Sequence, residues 1–184
     1  MNVDQAVMKR KSIRSYHDKG VAADDVAKVI KAGQWAPNAG AYTMSVVRNK
    51  YLMERINEKT LEAMRASGND FLMERAALPG YMPLYGGPVA ILLSGPTDVA
   101  ITQLNCAVAV ENMLLQATEL GLGSCFLRSP SYALNKPENV GLAREAGIPE
   151  GSQMECGLVF GYTDDEKKFA RMERAPRGTV TYID

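Results

Sequence analysis

The sequence predicts a single α+β domain. Its 184 residues are close to the usual size of one domain, and 46% of them are hydrophobic, which is enough to bury a core. Stretches with helical periodicity alternate along the chain with short apolar runs that are typical of strands. No repeat, low-complexity segment or linker interrupts this alternation, so we expect residues 1–184 to form one domain.

The N-terminal half is expected to contain mostly helices. Asn2 or Asp4 can cap a first helix, which ends in a basic stretch at residues 9–11. Val26 and Val29 share one face of the next helical segment, which begins with two aspartates at the positive end of its dipole. The segments predicted after the first helix are a helix at 24–34, a loop at 35–42, a strand at 44–47, a helix at 52–66 and a helical stretch at 71–78.

The C-terminal half is expected to contain most of the sheet. A long apolar helix at residues 101–120, closed by Gly121, has the character of a central core helix. After Tyr162 the chain becomes polar and charged, and only residues 179–183 regain strand-like content, so we expect them to pair with a sheet edge. The remaining predicted elements are strands at 89–93, 123–127 and 154–161 and a helical segment at 137–146.

The charge and cysteine content exclude several classes of function. Lysine plus arginine and aspartate plus glutamate both total 21, without a long block of one sign, so a nucleic-acid partner is not expected. No apolar stretch is long enough to span a bilayer and the N-terminus lacks a signal-peptide core, so we expect a cytoplasmic protein without a membrane partner. Cys106, Cys125 and Cys156 are widely spaced and are expected to be buried thiols, with no metal site.

The common catalytic signatures are absent from the sequence. It contains no GxSxG, HExxH or Walker sequence and no GxGxxG after a strand. It has one histidine, His17, which argues against a conventional catalytic triad. Such a protein can still be an enzyme if a cofactor carries the chemistry and the chain supplies binding and electrostatics. Segments that can bind an anionic cofactor are therefore the candidates to consider.

Two basic segments are candidates for a phosphate site. In the first, Arg10, Ser12 and Arg14 alternate and can point together from an extended segment, and arginine forks and a hydroxyl suit phosphate. The second holds Arg174 and Arg177 around a proline, where both guanidinium groups can reach the same phosphate. Considered alone, each segment is explained better as solvated surface charge.

The sequence LGLGSC at residues 120–125 is a third candidate. Here a helix ends on glycines and a strand begins, which leaves backbone amides open to a planar ligand. An ordinary glycine cap and tight helix-to-strand turn explain the same residues somewhat better when they are considered alone. The case for a cofactor therefore depends on the three segments together.

Taken in order, the motifs resemble those of the nitroreductase-like family of FMN-dependent oxidoreductases. The resemblance covers nearly the whole chain and is carried by KRKSIRSYHDKGVAADDVAKVIKAGQWAP, ENMLLQATELGLGSCFL, GIPEG and ERAPRGTVTYI. It implies a three-layer α/β/α fold with a mostly antiparallel central sheet and a long core helix. It also implies a homodimer that exchanges its C-terminal strand or tail and holds FMN at the subunit interface.

The same resemblance implies which residues contact FMN. Residues of the N-terminal basic segment would hold the phosphate and ribityl oxygens, namely Arg10, Lys11, Ser12 and Arg14, with Arg174 and Arg177 closing on the phosphate. The loop 38–43 would address the polar edge of the flavin, through Asn38, Ala39, Gly40, Ala41 and Thr43. The segment after the LGLG turn would lie near the flavin ring, through Arg128, Ser129, Pro130 and Ser131.

The sequence departs from the family pattern in the loop 38–43. The family usually has an asparagine and a glutamine where this chain has Ala41 and Thr43, so a methyl and a hydroxyl replace two amides that address the flavin. Asn38 or backbone groups can compensate for this loss. The departure matters for activity, because those amides act at the polar edge of the ring.

The resemblance implies a ping-pong reaction in which NAD(P)H reduces FMN and a second substrate takes the electrons in the same pocket. The acceptor would be a nitroaromatic, a quinone or a related conjugated electrophile, gated by Tyr81, Met82 and Tyr85. Packing in the core or an interface accounts equally well for those three side chains. Two other functions stay open: a non-catalytic flavin protein for storage, sensing or delivery, and a cofactor-free structural protein.

Overall fold

The computed structural model describes residues 1–164 and 177–183. Its sheet has four strands in the order β1-β2-β4-β3, and all three neighbouring pairs are antiparallel. This arrangement confirms the predicted mostly antiparallel sheet. The strands are β1 (Thr43–Val47), β2 (Val89–Pro96), β3 (Gly123–Leu127) and β4 (Ser152–Gly161).

The helices follow the predicted order, and most bounds agree within two residues. The predicted segment at 137–146 is a 3-10 helix, Pro137–Asn139, followed directly by an α-helix, because a proline opens it. A four-residue helix after β3 was not predicted, because it is too short for a periodic pattern. The helices are α1 (Val3–Lys9), α2 (Ala23–Gln34), α3 (Lys50–Arg65), α4 (Asp70–Ala77), α5 (Thr102–Glu119), α6 (Ser131–Leu134) and α7 (Val140–Glu145).

The helices cover both faces of the sheet, which gives the predicted three-layer α/β/α architecture. Alternate residues of β2 separate two cores, since Ile91 packs with α2 and α5 while Leu92 packs with α3, α6 and α7. Helix α5 is the long central helix of the first layer, and Met113 and Leu114 are buried completely or nearly so. The near-continuous apolar character of β2 follows from burial on both faces.

A glycine turn joins α5 to β3. Gly121 has φ +73°, and the N–H groups of Leu122 and Gly121 donate to the carbonyls of Ala117 (2.8 Å) and Thr118 (3.1 Å). These two bonds form a Schellman cap, which glycine favours because it adopts the left-handed conformation without a Cβ clash. The predicted end of the helix at Gly121 is confirmed, and the cap aims the chain into β3.

A β-bulge interrupts the pairing of β2 with β4. Leu93 lies opposite Cys156 and Ser94 lies opposite Met154, so Glu155 has no partner across the ladder. The Glu155 side chain is nevertheless buried, because the bulge turns it toward the protein interior beside the end of β3.

The segment after α1 runs along the outer edge of β3. Ser12 forms a parallel bridge with Ser124, and the Ile13 N–H donates to the Ser124 carbonyl at 2.8 Å. Ile13 is buried, and the Tyr16 hydroxyl donates to its carbonyl at 2.5 Å. Farther along, the His17 N–H donates to the Tyr162 carbonyl. The predicted basic loop is therefore extended and fixed to the sheet.

Residues 177–183 form no strand within one chain. Val180, Tyr182 and Ile183 are largely exposed, so the strand predicted at residues 179–183 does not form from intramolecular pairing alone. Its exchange with another subunit stays a prediction. In the two described ranges, no helix is both long and apolar enough to cross a membrane.

Candidate functional site

Three of the predicted phosphate-binding residues, Arg10, Ser12 and Arg14, lie on the segment that runs along the outer edge of β3, near Cys125. Burial raises the pKa of the Cys125 thiol, while the charges of Arg14 and Arg10 and a hydrogen bond with Ser12 lower it in part. The pKa of this one buried thiol is therefore lowered by all three side chains that alternate in the N-terminal segment. Arg10 also forms an ion pair with Glu111 of α5, and Lys11 is half-buried.

An arginine–tyrosine cluster adjoins this edge. The Arg14 guanidinium lies over the Tyr85 ring at 5.6 Å from its centroid. Arg75, from α4, donates to the Tyr85 hydroxyl at 2.7 Å and lies 5.0 Å from the Tyr81 ring centroid. The two rings meet edge to face, 5.9 Å apart. We call these four residues, Arg14, Arg75, Tyr81 and Tyr85, the arginine–tyrosine cluster.

Tyr85 has an unusual backbone conformation. In the part of the chain that the structure describes, it is the only residue other than glycine with a positive φ, +52°. Its N–H donates to the Met82 carbonyl, and the neighbouring Leu84 N–H donates to the Asn57 side chain at 2.8 Å. A bulky residue in the left-handed region is strained, and such strain concentrates at functional sites.

The residues that follow β3 connect this cluster to the buried Glu155. Ser129 Oγ lies 3.4 Å from the Tyr81 hydroxyl. Arg128 donates to the Glu155 carbonyl at 2.6 Å and lies 3.7 Å from its carboxylate, with 47% of the arginine side chain exposed. The buried Ser131 donates to the Arg128 carbonyl and opens α6, next to the buried Pro130. The segment 128–131 therefore has a fixed shape.

The loop 38–43 is held by a different set of contacts. The Asn38 amide donates to the Tyr42 hydroxyl, and Tyr42 donates to the Gly33 carbonyl, both at 3.1 Å. The Ala39 N–H donates to Oδ1 of Asn105 on α5, at 3.2 Å. Nδ2 of Asn105 is buried without a hydrogen-bond partner, 3.4 Å from the position that a Cβ on Gly40 would take.

The basic segment 10–14 and the loop 38–43, which are both predicted to contact the flavin, do not meet in one chain. The basic segment follows the outer edge of β3, whereas the loop 38–43 leads into β1, the opposite edge strand. Three strand spacings separate the two edges, which corresponds to about 14 Å. A ligand that contacts both groups therefore needs a long reach or a second copy of the chain.

The structure groups some of the predicted residues and separates others. Tyr81 and Tyr85 join Arg14 and Ser129, whereas Met82 faces a groove against α3. Ala41 is exposed, and Thr43 begins β1. Arg177 is exposed, and Arg174 lies outside the described residues.

Sequence reasoning missed Arg75, Asn105 and Glu155. Arg75 lies within a helical stretch, and Asn105 lies within the long apolar helix, where no local pattern marks either residue as part of a site. Glu155 lies in a predicted strand, and only the bulge brings it to Arg128. A single polar residue inside an otherwise apolar run is the one signal that was available for Asn105 and Glu155.

The two regions differ in electrostatics. Near the loop 38–43, burial and the Glu155 carboxylate raise the pKa of the Cys106 thiol from 9.0 to about 12. In the arginine–tyrosine cluster, burial raises the pKa of Tyr85, against the effect of a hydrogen bond with Arg14. Tyr85 is therefore a neutral phenol at physiological pH, and the cluster has the positive charge of its arginines.

Comparisons with known proteins agree with this architecture. The profile described as "Nitroreductase family" matches residues 7–162. A nitroreductase from Bacteroides fragilis, solved with bound FMN, has a TM-score of 0.88 at 27% identity, with all of both chains covered. An FMN-dependent nitroreductase from Clostridium difficile has a TM-score of 0.65 at 29% identity, with 91% of each chain covered.

A curated relative gives the same result from sequence. A protein of Archaeoglobus fulgidus with the name "Putative NADH dehydrogenase/NAD(P)H nitroreductase" is 29% identical over 164 residues, which cover 87% of this chain and 84% of the relative. The three-layer fold with its antiparallel sheet is thus that of the nitroreductases. The chain belongs to the nitroreductase family, a family of oxidoreductases.

Proposed function

We propose that this protein is an FMN-dependent oxidoreductase that uses NAD(P)H to reduce nitroaromatic, quinone or related conjugated acceptors. The observation that carries the proposal is that the segment with Arg10, Ser12 and Arg14 is fixed along the outer edge of β3, in a chain of this family. When bound, FMN would supply the redox chemistry, accepting a hydride from NAD(P)H and passing two electrons to the acceptor. The two substrates would use one pocket in turn.

The residues at the β3 edge fit the phosphate end of FMN. Ser12 has an exposed side chain on a segment fixed to β3, and Arg14 is exposed beside it. Within the described residues, Arg14 has no carboxylate within ion-pair distance, so its charge is available for an anion. A guanidinium and a hydroxyl on a rigid segment can donate several charge-assisted hydrogen bonds to one phosphate. Lys11, Arg174 and Arg177 are proposed to complete this end.

The loop 38–43 fits the polar edge of the flavin ring. Asn38 uses its amide nitrogen within the loop, so it does not replace the amides missing at Ala41 and Thr43. Asn105 offers a better substitute, because its Nδ2 is a buried donor without a partner beside Gly40. The segment 128–131, next to Tyr81, is proposed to flank the ring from the β3 side.

We further propose a homodimer, because the two half-sites lie at opposite edges of one sheet. In the dimer, the loop 38–43 of one copy would complete the β3 edge of its partner. The outer face of α5 offers the contact surface: Leu104 is 65% exposed, and Ile101 and Val108 lie on the same side at helical spacing. Trp35, 78% exposed, extends this surface. The exposed residues 179–183 are proposed to pair with the partner.

The dimer is tested by light scattering during size-exclusion chromatography. We expect twice the mass of one chain, and we expect Leu104→Glu to shift the protein to the monomer with a loss of bound FMN. Val140→Glu is the matched control, because Val140 is equally exposed but lies on α7, in the opposite layer. A wild-type monomer that retains FMN would contradict the shared site.

The redox function is tested by the absorbance spectrum of the purified protein before and after anaerobic addition of NADH and then NADPH. We expect a flavin spectrum that bleaches with either nucleotide and recovers when a nitroaromatic or a quinone is added. A protein that stays colourless after incubation with FMN would overturn the proposed cofactor.

One observation favours a second candidate, a flavin protein for storage, sensing or delivery. Ala41 and Thr43 lack the amides that address the flavin in the family, so this chain can hold FMN in an environment that does not support turnover. The same titration separates the two functions, because a flavin that stays oxidised with both nucleotides would favour the non-catalytic protein.

A further inference from the structure

Arg75 belongs to none of the segments that resemble the family, yet it lies at the centre of the arginine–tyrosine cluster. It projects from α4 toward both tyrosines, with a hydrogen bond to the Tyr85 hydroxyl and a cation–π contact with Tyr81. Tyr81 in turn reaches Ser129, in the segment proposed to flank the flavin. Arg75 is therefore placed between the gating loop and the proposed cofactor site.

The cluster has unbalanced positive charge. In residues 1–164 and 177–183, neither Arg14 nor Arg75 forms an ion pair with a carboxylate. Both contact Tyr85, whose pKa is raised by burial, so that its hydroxyl is a neutral phenol at physiological pH. Two guanidinium groups that share one neutral aromatic neighbour repel each other, and an anion between or beside them relieves this repulsion. Arg14 is proposed above to hold FMN, so Arg75 is the second cation, with no role in that proposal.

The geometry of Arg75 suits a carboxylate. One Nη donates to the Tyr85 hydroxyl, and a guanidinium has five N–H donors, so others remain for a bidentate contact. The Tyr81 and Tyr85 rings meet edge to face at 72°, so the Tyr81 ring presents an aromatic face of its own beside the charged group. Tyr85 is fixed in its left-handed conformation by the loop, and this fixes the acceptor of the Arg75 hydrogen bond. An aromatic acid matches this combination of one tyrosine ring and a fork of donors, because its ring can pack on Tyr81 while its carboxylate contacts the guanidinium.

We propose that Arg75 binds the anionic substituent of the electron acceptor, so that this enzyme prefers aromatic acceptors that carry a carboxylate. The aromatic ring of the acceptor packs against Tyr81, and Arg75 is a specificity-determining residue. This inference rests on the proposed oxidoreductase function. It names the class of acceptor within that function.

The test compares 4-nitrobenzoate with 4-nitrobenzamide, which has the same shape without the charge. With the FMN-loaded protein, we expect the ratio of kcat/KM for the acid to kcat/KM for the amide to fall about tenfold or more in Arg75→Gln, because one charge-assisted contact is lost. Arg75→Lys keeps the charge without the fork and should recover part of the preference. Arg144→Gln, an exposed arginine on α7, is the control and should leave the ratio unchanged.

Other outcomes assign Arg75 elsewhere and overturn the proposal. If Arg75→Gln weakens FMN binding and changes both acceptors equally, Arg75 belongs to the cofactor site. If it raises KM for NADPH but not for NADH, Arg75 reads the extra phosphate of NADPH. An unchanged ratio in an enzyme that still reduces its flavin overturns this inference alone, whereas a protein that never binds FMN overturns the proposed function.

A binding measurement tests the same site without turnover. Calorimetric titration with benzoate should show tighter binding than with benzamide, and Arg75→Gln should abolish the difference. Tyr85→Phe removes the hydrogen-bond acceptor that orients Arg75 and should weaken benzoate binding less than Arg75→Gln does. This variant provides a second measurement if Arg75→Gln folds poorly. Equal binding of benzoate and benzamide by the native protein would overturn the proposal.

Discussion

The β3 edge and the loop 38–43 are both predicted to contact one flavin, but they are built in different ways. At the β3 edge, Arg14, Arg75 and two tyrosines contact one another through side chains, and in the described residues neither of these two arginines is paired with a carboxylate. The loop 38–43 contains no charged side chain and is fixed through Tyr42 and Asn105. One region attracts an anion, and the other presents neutral donors and backbone.

Nearby charges shift the pKa values of two buried cysteines in opposite directions. Arginine charges lower the pKa of Cys125 against the effect of burial, whereas the Glu155 carboxylate adds to burial in raising the pKa of Cys106. A ligand with an anionic end and a neutral polar ring matches such a pair of regions. The difference supports the proposal that the β3 edge holds the phosphate end of FMN and the loop 38–43 its ring.

The largest expected effect is on FMN affinity, from a substitution at the β3 edge. Arg14→Ala should weaken FMN binding by about 1.5–3 kcal/mol, because charge-assisted hydrogen bonds to the phosphate are lost. The measurement is the dissociation constant for FMN, from quenching of flavin fluorescence. Lys19→Ala, an exposed cation in the following loop, serves as the control. Equal affinities of Arg14→Ala and the native protein would remove Arg14 from the site.

A second prediction tests whether the β3 edge depends on close packing. A Cβ on Gly123 would lie 2.8 Å from Cγ2 of the buried Ile13, so Gly123→Ala should push the basic segment away from β3. We expect the free energy of unfolding to fall by about 1–3 kcal/mol, as for other overpacked sites. Gly20→Ala, where a Cβ meets nothing within 4 Å, should be nearly neutral in the same urea titration. A stable Gly123→Ala protein with native FMN affinity would contradict this dependence.

A substitution beside the neutral loop 38–43 should have a weaker effect. Asn105→Ala leaves the Ala39 N–H without its acceptor and should lower the free energy of unfolding by about 1 kcal/mol. If Nδ2 also donates to the flavin, FMN affinity should fall by a similar free energy. Asn139→Ala removes the hydrogen bond from the Asn139 side-chain amide to the Ala133 carbonyl, on the α7 side, and is the matched control. A loss of stability with no change in FMN affinity would limit Asn105 to a structural role.

The smallest effect concerns the buried thiols at high pH. Burial raises the pKa of Cys106 from 9.0 to about 12, so below pH 9 both folded and unfolded chains retain the thiol proton. Above pH 9 the unfolded chain loses it first, so Cys106 alone should lower the free energy of unfolding by about 0.8 kcal/mol at pH 9.5, and the other buried thiols add to this decrease. Urea midpoints at pH 7.5 and 9.5 measure this loss, and Cys106→Ala should show a shallower decrease. Parallel decreases in both proteins would contradict it.

Much of the fold was predictable from local patterns. Burial on both faces produced the unbroken apolar runs of β2 and β4, and the capping signals at Asn2 and Gly121 marked the helix ends. Predicted strands were too short because β2 and β4 continue into polar residues, where tertiary pairing extends them beyond their apolar cores. The helix predicted from Leu52 begins earlier, at Lys50, because Asn49 caps it.

The candidate site was predictable only where family motifs mark it. The alternation of Arg10, Ser12 and Arg14 indicated a phosphate segment, but its position depends on pairing with β3, a strand more than a hundred residues away in sequence. Arg75 and Asn105 come from helices whose sequences indicate packing alone. Their roles arise from which element lies beside which, and a single-sequence pattern does not contain that information.

The exposed apolar side of α5 also bears on how stability and flavin binding would depend on protein concentration. If two copies associate through Leu104 and Trp35 as proposed, the chain would gain part of its stability from association, and its midpoint of unfolding would rise with protein concentration. Dilution would then favour release of the bound flavin at the same time as separation of the copies. The amount of protein in solution would thus regulate how much of it holds a cofactor.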